Sequence, residues 1–150
     1  MSRIVTLLLF LGLVVGGGLL IGYWNVPGEW YAQLAKPSFN PPNRVFAPAW
    51  TLLYILIAVA GWRIWVRDPK GVALKLWSGQ LALNFLWSPI FFTAHLIGLA
   101  LLIILALLIL ILAFIATTWS RDRMASLLFL PYAAWVAFAS LLNAEIVVLN

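Results

Sequence analysis

The amino-acid sequence predicts an all-α membrane protein built as a bundle of five transmembrane helices. Of its 150 residues, 65% are hydrophobic and only 9% are charged, and the mean hydropathy is +1.08. A soluble domain of this size cannot bury so much apolar surface, so much of it is expected to face lipid. The chain also contains five apolar stretches, each approaching the ~20 residues that cross a hydrocarbon core of roughly 30 Å. We therefore expect residues 1–150 to form a single transmembrane domain.

The five predicted helices cover residues 4–24, 44–66, 72–93, 96–119 and 124–149. The first follows Arg3 as a signal peptide would, but it is too long for a typical signal-peptide core, so we interpret it as a retained helix. Its Gly18 and Gly22 have the small-xxx-small spacing that allows close helix contact. Pro48 falls in the first turns of the second helix, where a missing N–H is tolerated. The fourth helix has no polar side chain before Thr117, which is typical of a helix that faces lipid.

The first loop, residues 25–43, is the longest connection and is expected to be non-helical. It contains four prolines, Pro27, Pro37, Pro41 and Pro42, and four interleaved apolar residues, Trp30, Tyr31, Leu34 and Phe39. Two interpretations remain open. The aromatic rings of an interfacial loop would lie at the level of the lipid headgroups. A lid would instead fold over a pocket between the helices.

The basic residues predict the orientation of the bundle. One side of the membrane would carry Arg3, Arg63, Arg67, Lys70, Lys75, Arg121 and Arg123, and the other only Lys36 and Arg44. The positive-inside rule then places the N-terminus in the cytoplasm and the first loop outside, in a bacterial cell membrane. Because these residues are scattered singly at the ends of apolar runs, the net charge of +5 reflects topology and not nucleic-acid binding.

Three helices each carry a stripe of aromatic residues with a few hydrogen-bonding groups. The stripes are Phe46, Trp50 and Tyr54 on the second helix, Asn84, Trp87 and Phe91 on the third, and Tyr132, Trp135, Ala139 and Leu142 with the adjacent Asn143 on the fifth. If the stripes converge, they line a flat, mostly apolar slot suited to a planar hydrophobic ligand. The alternative is ordinary helix packing, in which Asn84 and Asn143 only hold helices together.

Other kinds of site are excluded or disfavoured by the residues present. The chain has no cysteine, so thiolate catalysis and thiolate metal sites are excluded. His95, the single histidine, lies in a very short turn with no carboxylate cluster for a metal site. The sequence contains no Ser-His-Asp set, and its run of three glycines lies inside an apolar helix and not in a phosphate-binding loop. We therefore expect no metal, no cofactor and no hydrolytic residues.

Several long motifs occur in order along the chain. The first loop reads Trp30-Tyr31, then Leu34, then Lys36-Pro37-Ser38-Phe39-Asn40-Pro41-Pro42. The second helix carries Val45-Phe46, Pro48, Trp50 and Leu53-Tyr54, and the third carries Gln80-Leu81-Ala82-Leu83-Asn84, Trp87 and Ile90-Phe91-Phe92. The fifth carries Pro131-Tyr132, Trp135, Phe138-Ala139 and Leu142-Asn143. In these motifs the chain resembles the tryptophan-rich sensory protein (TspO) family, whose animal members are called translocator protein or peripheral benzodiazepine receptor.

The resemblance implies a five-helix bundle whose pocket opens toward the first loop, which acts as a lid. Family members bind porphyrins such as protoporphyrin IX and haem, as ligands and not as cofactors, together with synthetic benzodiazepine-type ligands and, in animals, cholesterol. By this resemblance Trp30 would close over the pocket and the three stripes would supply its walls. Ala139 matches a small position where added bulk disturbs ligand binding.

The chain departs from the family pattern at three places. Phe39 and Arg44 stand where tryptophan is usual. Arg44 either pairs with a porphyrin propionate or anchors the end of its helix. The stretch 142–149 lacks the tyrosine and the basic residue of the animal sterol motif, which argues against strong cholesterol binding.

Three functions follow as alternatives. The first is a membrane protein that binds porphyrins in tetrapyrrole transport, sensing or regulation. The second is an enzyme that degrades porphyrin with light and oxygen, in which Trp50 and Trp135 match the tryptophans implicated in the family. The third is a structural or interaction protein without a ligand. Ser78 and Ala82 have the small-xxx-small spacing of a homodimer contact, so a second copy and membrane lipid are the expected partners.

Overall fold

The computed structural model describes residues 1–150 as six helices with no β-strand. They are α1 (Arg3–Trp24), α2 (Glu29–Gln33), α3 (Asn43–Arg67), α4 (residues 72–93, α-helical over Val72–Ser88), α5 (Ile97–Thr118) and α6 (Arg123–Leu149). The all-α prediction is confirmed, and the long helices begin and end within one residue of the predicted limits, except that α4 is α-helical only to Ser88. Four helices, α1, α3, α5 and α6, are long and apolar enough to cross a membrane, so the chain is a multi-pass membrane protein.

The expectation that the first loop is non-helical was wrong for one short segment. The helix α2 occupies Glu29–Gln33 within this loop. Pro27 precedes it and Pro37 follows it, so no proline interrupts its backbone hydrogen bonds. The rest of the loop is irregular, as predicted.

Two helices contain a wider π-helical turn. In α1 this turn covers Gly12–Gly16, in the glycine-rich middle of the helix. In α4 it covers Pro89–Thr93, which continues the helix toward the turn at His95. Pro89 has no N–H to donate, and beyond it the backbone N–H of Ala94 bonds to the carbonyl of Pro89 at 2.9 Å, five residues back.

The five long helices form a closed ring in the spatial order α1, α3, α6, α5, α4. The half of the bundle that lies farther from the first loop is packed with large apolar side chains. Phe114 of α5 and Phe129 of α6 are fully buried there with their ring centroids 4.2 Å apart. Trp77 of α4 packs on Gly61 of α3, where an added Cβ would lie 2.3 Å from the indole. The other half of the bundle, beside the first loop, encloses a cavity.

The prediction that the fourth transmembrane stretch simply faces lipid needs a correction. One face of α5 is buried in the bundle core, including Ile104, Leu107 and Ile111, while Leu102 and Ile109 are exposed. Because every residue of this helix before Thr117 is apolar, the sequence pattern cannot distinguish its buried face from its lipid face.

Candidate ligand-binding site

A cavity of about 510 Å³ lies between the helices, below the first loop. All five long helices and the loop contribute to its lining, which is mostly apolar with a few polar groups. Its volume falls within the roughly 300–1,000 Å³ typical of small-molecule sites. The sequence-derived aromatic stripes therefore do enclose a hollow, and they are not packed solidly together.

Aromatic rings form two walls of the cavity. On α3, Trp50 and Tyr54 are stacked with a centroid separation of 5.6 Å and an interplanar angle of 29°. On α4, Trp87 and Phe91 are 5.1 Å apart at 34°. Such rings offer flat apolar surface that can stack against another planar group.

A chain of three polar side chains lies at one side of the cavity and continues into the core. The amide nitrogen of Asn84 donates to the phenolic oxygen of Tyr132 at 2.7 Å, and this phenol donates to Oε1 of Gln80 at 2.7 Å. These bonds fix the Asn84 amide, which lines the cavity and whose Oδ1 accepts from no protein donor. Gln80 Nε2 is buried without a partner.

Asn143 has a different role, because the protein uses both ends of its amide. Its Oδ1 accepts from Trp87 Nε1 at 3.0 Å, and its Nδ2 donates to the carbonyl of Ile97 at 3.0 Å. Asn143 lines the cavity, but it joins α6 to α4 and α5 and holds the Trp87 ring in place.

The structure brings nine of the twelve predicted site residues to the cavity wall. These are Phe46, Trp50, Tyr54, Asn84, Trp87, Phe91, Ala139, Leu142 and Asn143. The other three, Trp30, Tyr132 and Trp135, lie behind the wall. Tyr132 is fully buried behind Asn84, and Trp135 contacts Trp50 edge-to-face at 6.3 Å and Phe46 at 5.9 Å. The indole N–H of Trp135 is buried without a partner.

Sequence reasoning missed the contributions of α1 and α5 to this site. Gly18, Leu19, Gly22 and Tyr23 of α1 line the cavity, as do Ile104 and Leu107 of α5. Gly18 and Gly22 were recognised only as a helix-contact pair, and the cavity side of a purely aliphatic helix such as α5 carries no distinguishing signal.

The first loop packs on the bundle and covers the cavity. Tyr31 of α2 is buried against Phe91 and Phe92, and its hydroxyl hydrogen-bonds to Asn40 Oδ1 at 3.4 Å. Both Tyr31 and Asn40 line the cavity. Burial raises the pKa of the Tyr31 phenol, and the hydrogen bond to Asn40 opposes part of that rise.

Two further contacts fix the loop to the ends of other helices. The Trp30 indole stacks on the His95 imidazole, with centroids 3.9 Å apart and planes 9° from parallel. At the C-terminus, the Asn150 side chain bonds to both the N–H and the carbonyl of Ala35, at 3.1 and 2.8 Å. His95 lies in the short turn where the sequence placed it, and its ring supports the loop. It adopts a left-handed backbone conformation, with φ of 61°.

The two unusual residues of the loop region lie outside the cavity wall. Phe39 packs on Phe138 at 6.2 Å, and Arg44 is exposed in the first turn of α3. Arg44 follows directly after Asn43, which does line the cavity.

A helical membrane bundle with an aromatic cavity under the first loop is the arrangement that the motif resemblance implied. The model of the TspO/MBR family matches residues 7–149. The chain belongs to the TspO/MBR family. It is 40% identical to the translocator protein of Homo sapiens, over 84% of this chain and 79% of that protein. The protein CrtK of Rhodobacter capsulatus is 38% identical over 83% of this chain and 80% of its own length. The tryptophan-rich protein TspO of Chlorobaculum tepidum is 37% identical over 99% and 98%.

Proposed function

We propose that this TspO/MBR protein binds porphyrin-type tetrapyrroles in the cavity under its first loop, in tetrapyrrole transport, sensing or regulation. The observation that carries the proposal is the combination of stacked aromatic walls with one fixed, unpaired acceptor. The rings of Trp50 and Trp87 would contact the faces of a flat macrocycle. Asn84 Oδ1 would accept a hydrogen bond from a donor at the edge of the ligand, directly or through a water molecule.

The distribution of charges around the cavity fits an amphipathic ligand whose apolar part lies inside and whose carboxylates stay outside. No lysine or arginine lines the cavity, so the carboxylates of a porphyrin would stay at its opening. Arg44 is exposed beside the cavity residue Asn43, so it could pair with such a carboxylate. The lining contains no histidine, so no imidazole is placed to bind a haem iron.

The proposal includes five membrane crossings and an orientation. The α-helical part of α4 has 17 residues, and its π-helical continuation Pro89–Thr93 extends it enough to serve as the fifth span. With five spans, seven basic residues lie at one end of the bundle and two at the other. We infer a cytoplasmic N-terminus in a bacterial cell membrane, with the first loop as an outward-facing lid.

A spectral titration with protoporphyrin IX tests the proposal. Two tryptophans of α3 make a matched pair, because Trp50 lines the cavity whereas Trp65 is exposed outside it. We expect Trp50→Ala to weaken binding at least about tenfold, since burial of an aromatic face contributes about 1.5–3 kcal/mol, while Trp65→Ala binds like the wild type. Absence of saturable binding to the wild type would refute the proposal.

A second candidate activity is the photo-oxidation of porphyrin by dioxygen. The observation that favours it is the contact between Trp50, which lines the cavity, and Trp135, which lies behind it at 6.3 Å. One electron from Trp135 would pass through Trp50 to a bound, light-excited porphyrin, and the porphyrin radical anion would add dioxygen and open. The electron would then return to the oxidised tryptophan, so that dioxygen is the net oxidant. A Trp135→Phe variant would then keep its porphyrin affinity but lose a bilin-like absorbance that develops on illumination in air. If no such absorbance develops in the wild type, the protein only binds.

We also propose that α4 carries a homodimer contact. Ser78 and Ala82 are both exposed on the outer face of this helix, one turn apart. An Ala82→Leu substitution would block close approach of two copies, and light scattering of the detergent-solubilised protein would show a monomer. A wild type that is itself monomeric at all detergent concentrations would exclude the contact.

The absence of a tyrosine and a basic residue near the end of α6 continues to argue against strong cholesterol binding.

A further inference from the structure

A second concave site lies at the end of the bundle opposite the cavity. It has a volume of about 270 Å³ and is formed where the start of α1 meets the end of α3. Its lining residues are Arg3, Trp62, Arg63, Val66 and Arg67. Three guanidinium groups therefore line one hollow.

The only acidic residue paired with this group lies beneath it. The Asp122 carboxylate accepts bonds from Arg63 at 3.0–3.2 Å and forms an ion pair with Arg67 at 3.4 Å. Its side chain is 2% exposed, whereas those of Arg63 and Arg67 are 31% and 57% exposed. Arg3 has no acidic partner at all. Three guanidinium charges and one buried carboxylate leave the site with a net positive charge, which is carried by exposed or partly exposed side chains.

Two of the three guanidinium groups, those of Arg63 and Arg67, are held in position before any ligand arrives. Asp122 fixes Arg63, and Arg67 also donates through Nη1 to the carbonyl of Arg121 at 2.9 Å. The Trp62 indole donates to the carbonyl of Arg3 at 3.0 Å and so ties α1 to α3. Arg63 Nη1, Arg67 Nη2 and the whole Arg3 guanidinium keep unused donors. Preorganised donors lose less entropy on binding than free surface side chains do.

Apolar surface adjoins this site on its membrane side. Ile4 and Leu8 on α1 and Trp65 on α3 are all exposed, and they extend from the arginines toward the middle of the bilayer. Guanidinium groups bind phosphate oxygens with good geometry, and basic pockets between transmembrane helices bind anionic headgroups. We propose that this groove binds the phosphate headgroup of an anionic phospholipid, whose acyl chains lie along the exposed side chains of α1.

Lipid retention in native mass spectrometry tests the proposal, using protein from nanodiscs with equal phosphatidylglycerol and phosphatidylcholine. We expect the wild type to retain one phosphatidylglycerol in preference to phosphatidylcholine. Arg3→Gln and Arg67→Gln should each lower that retention roughly fivefold, because each removes one guanidinium and leaves the Arg63–Asp122 pair intact. Lys75→Gln is the matched control, since it removes an exposed charge near the same end of the bundle but outside the groove.

Three results would overturn the proposal. The first is equal retention of the two lipids, and the second is a loss in Lys75→Gln as large as in Arg67→Gln, which would indicate diffuse surface attraction. The third is displacement of phosphatidylglycerol by millimolar inorganic phosphate, which would identify a site for free anions and not for lipid. Porphyrin binding should be unchanged in Arg3→Gln and Arg67→Gln, so this test is independent of the proposed function.

Discussion

Replacing Gly18 with alanine tests whether the close approach of α1 to Tyr54 sets the width of the cavity. A Cβ at residue 18 would lie 2.3 Å from Tyr54 Cε2 and 2.5 Å from Cζ, whereas ordinary van der Waals contact begins at 3.4 Å. Either the ring or α1 must therefore move by about 1 Å. Trp50 and Phe85 flank the ring at 5.6 and 6.4 Å, so the open space available to it is the cavity.

The size of the effect follows from the cost of overpacking. Forcing an extra methyl into a packed contact costs about 1–3 kcal/mol, and 1.4 kcal/mol corresponds to tenfold in affinity. We expect Gly18→Ala to lower the free energy of unfolding by about 1–2 kcal/mol. We also expect it to weaken protoporphyrin IX binding roughly tenfold, because the displaced ring occupies space that the ligand needs.

Gly16→Ala is the control, since a Cβ at residue 16 meets no atom within 4 Å. Both variants make the same chemical change in the same helix. Porphyrin absorbance titrations give the two affinities, and thermal unfolding in the same detergent gives the two stabilities. If Gly18→Ala binds and unfolds like Gly16→Ala, the contact with Tyr54 does not limit the cavity, and the argument from this geometry fails.

Three further predictions concern buried polar groups and the loop. Tyr132→Phe should destabilise the protein by about 1–3 kcal/mol, because it leaves buried amide groups of Asn84 and Gln80 unpaired, and thermal unfolding should show that adding Gln80→Leu recovers part of the loss. Asp122→Asn should destabilise it by roughly 1–3 kcal/mol in the same assay, less than for a fully buried pair because both arginines are partly exposed. The raised pKa of Tyr31 means that the packed loop favours the neutral phenol, so its contribution to stability is complete below pH 10 and declines as the pH rises further. Hydrogen exchange of the loop amides, compared between wild type and Tyr31→Phe, should show this alkaline loosening only in the wild type.

Local patterns were enough to predict the helices of this protein. The apolar runs, the prolines of the first loop and the short polar turns place the ends of the long helices within one residue, apart from the π-helical end of α4. The exceptions have local causes that depend on packing. The helix α2 forms between two prolines where its aromatic residues can pack on the bundle, and the end of α4 widens into a π-helix at Pro89. Neither exception changes where the long helices lie.

The candidate site was predictable only where polar or aromatic residues mark one face of a helix. That was true for α3, α4 and α6, and most of the residues named from their stripes line the cavity. The sequence could not separate rings on the wall from rings behind it, so Trp135 was grouped with Trp50. It also could not show that Asn143 is engaged by Trp87 and Ile97 whereas Asn84 keeps a free oxygen.

The sequence by itself determined that this chain is a helical membrane protein of the TspO/MBR type, because hydrophobic length, proline placement and linear motifs are local properties. The tertiary structure decided which faces meet. It closed α1 and α5 around the cavity, packed the first loop over it, and brought Arg3, Arg63 and Arg67 into one groove at the opposite end, the latter two paired with Asp122. These outcomes depend on contacts between residues far apart in the chain. The sequence of an apolar helix does not show which neighbouring helix it will pack against.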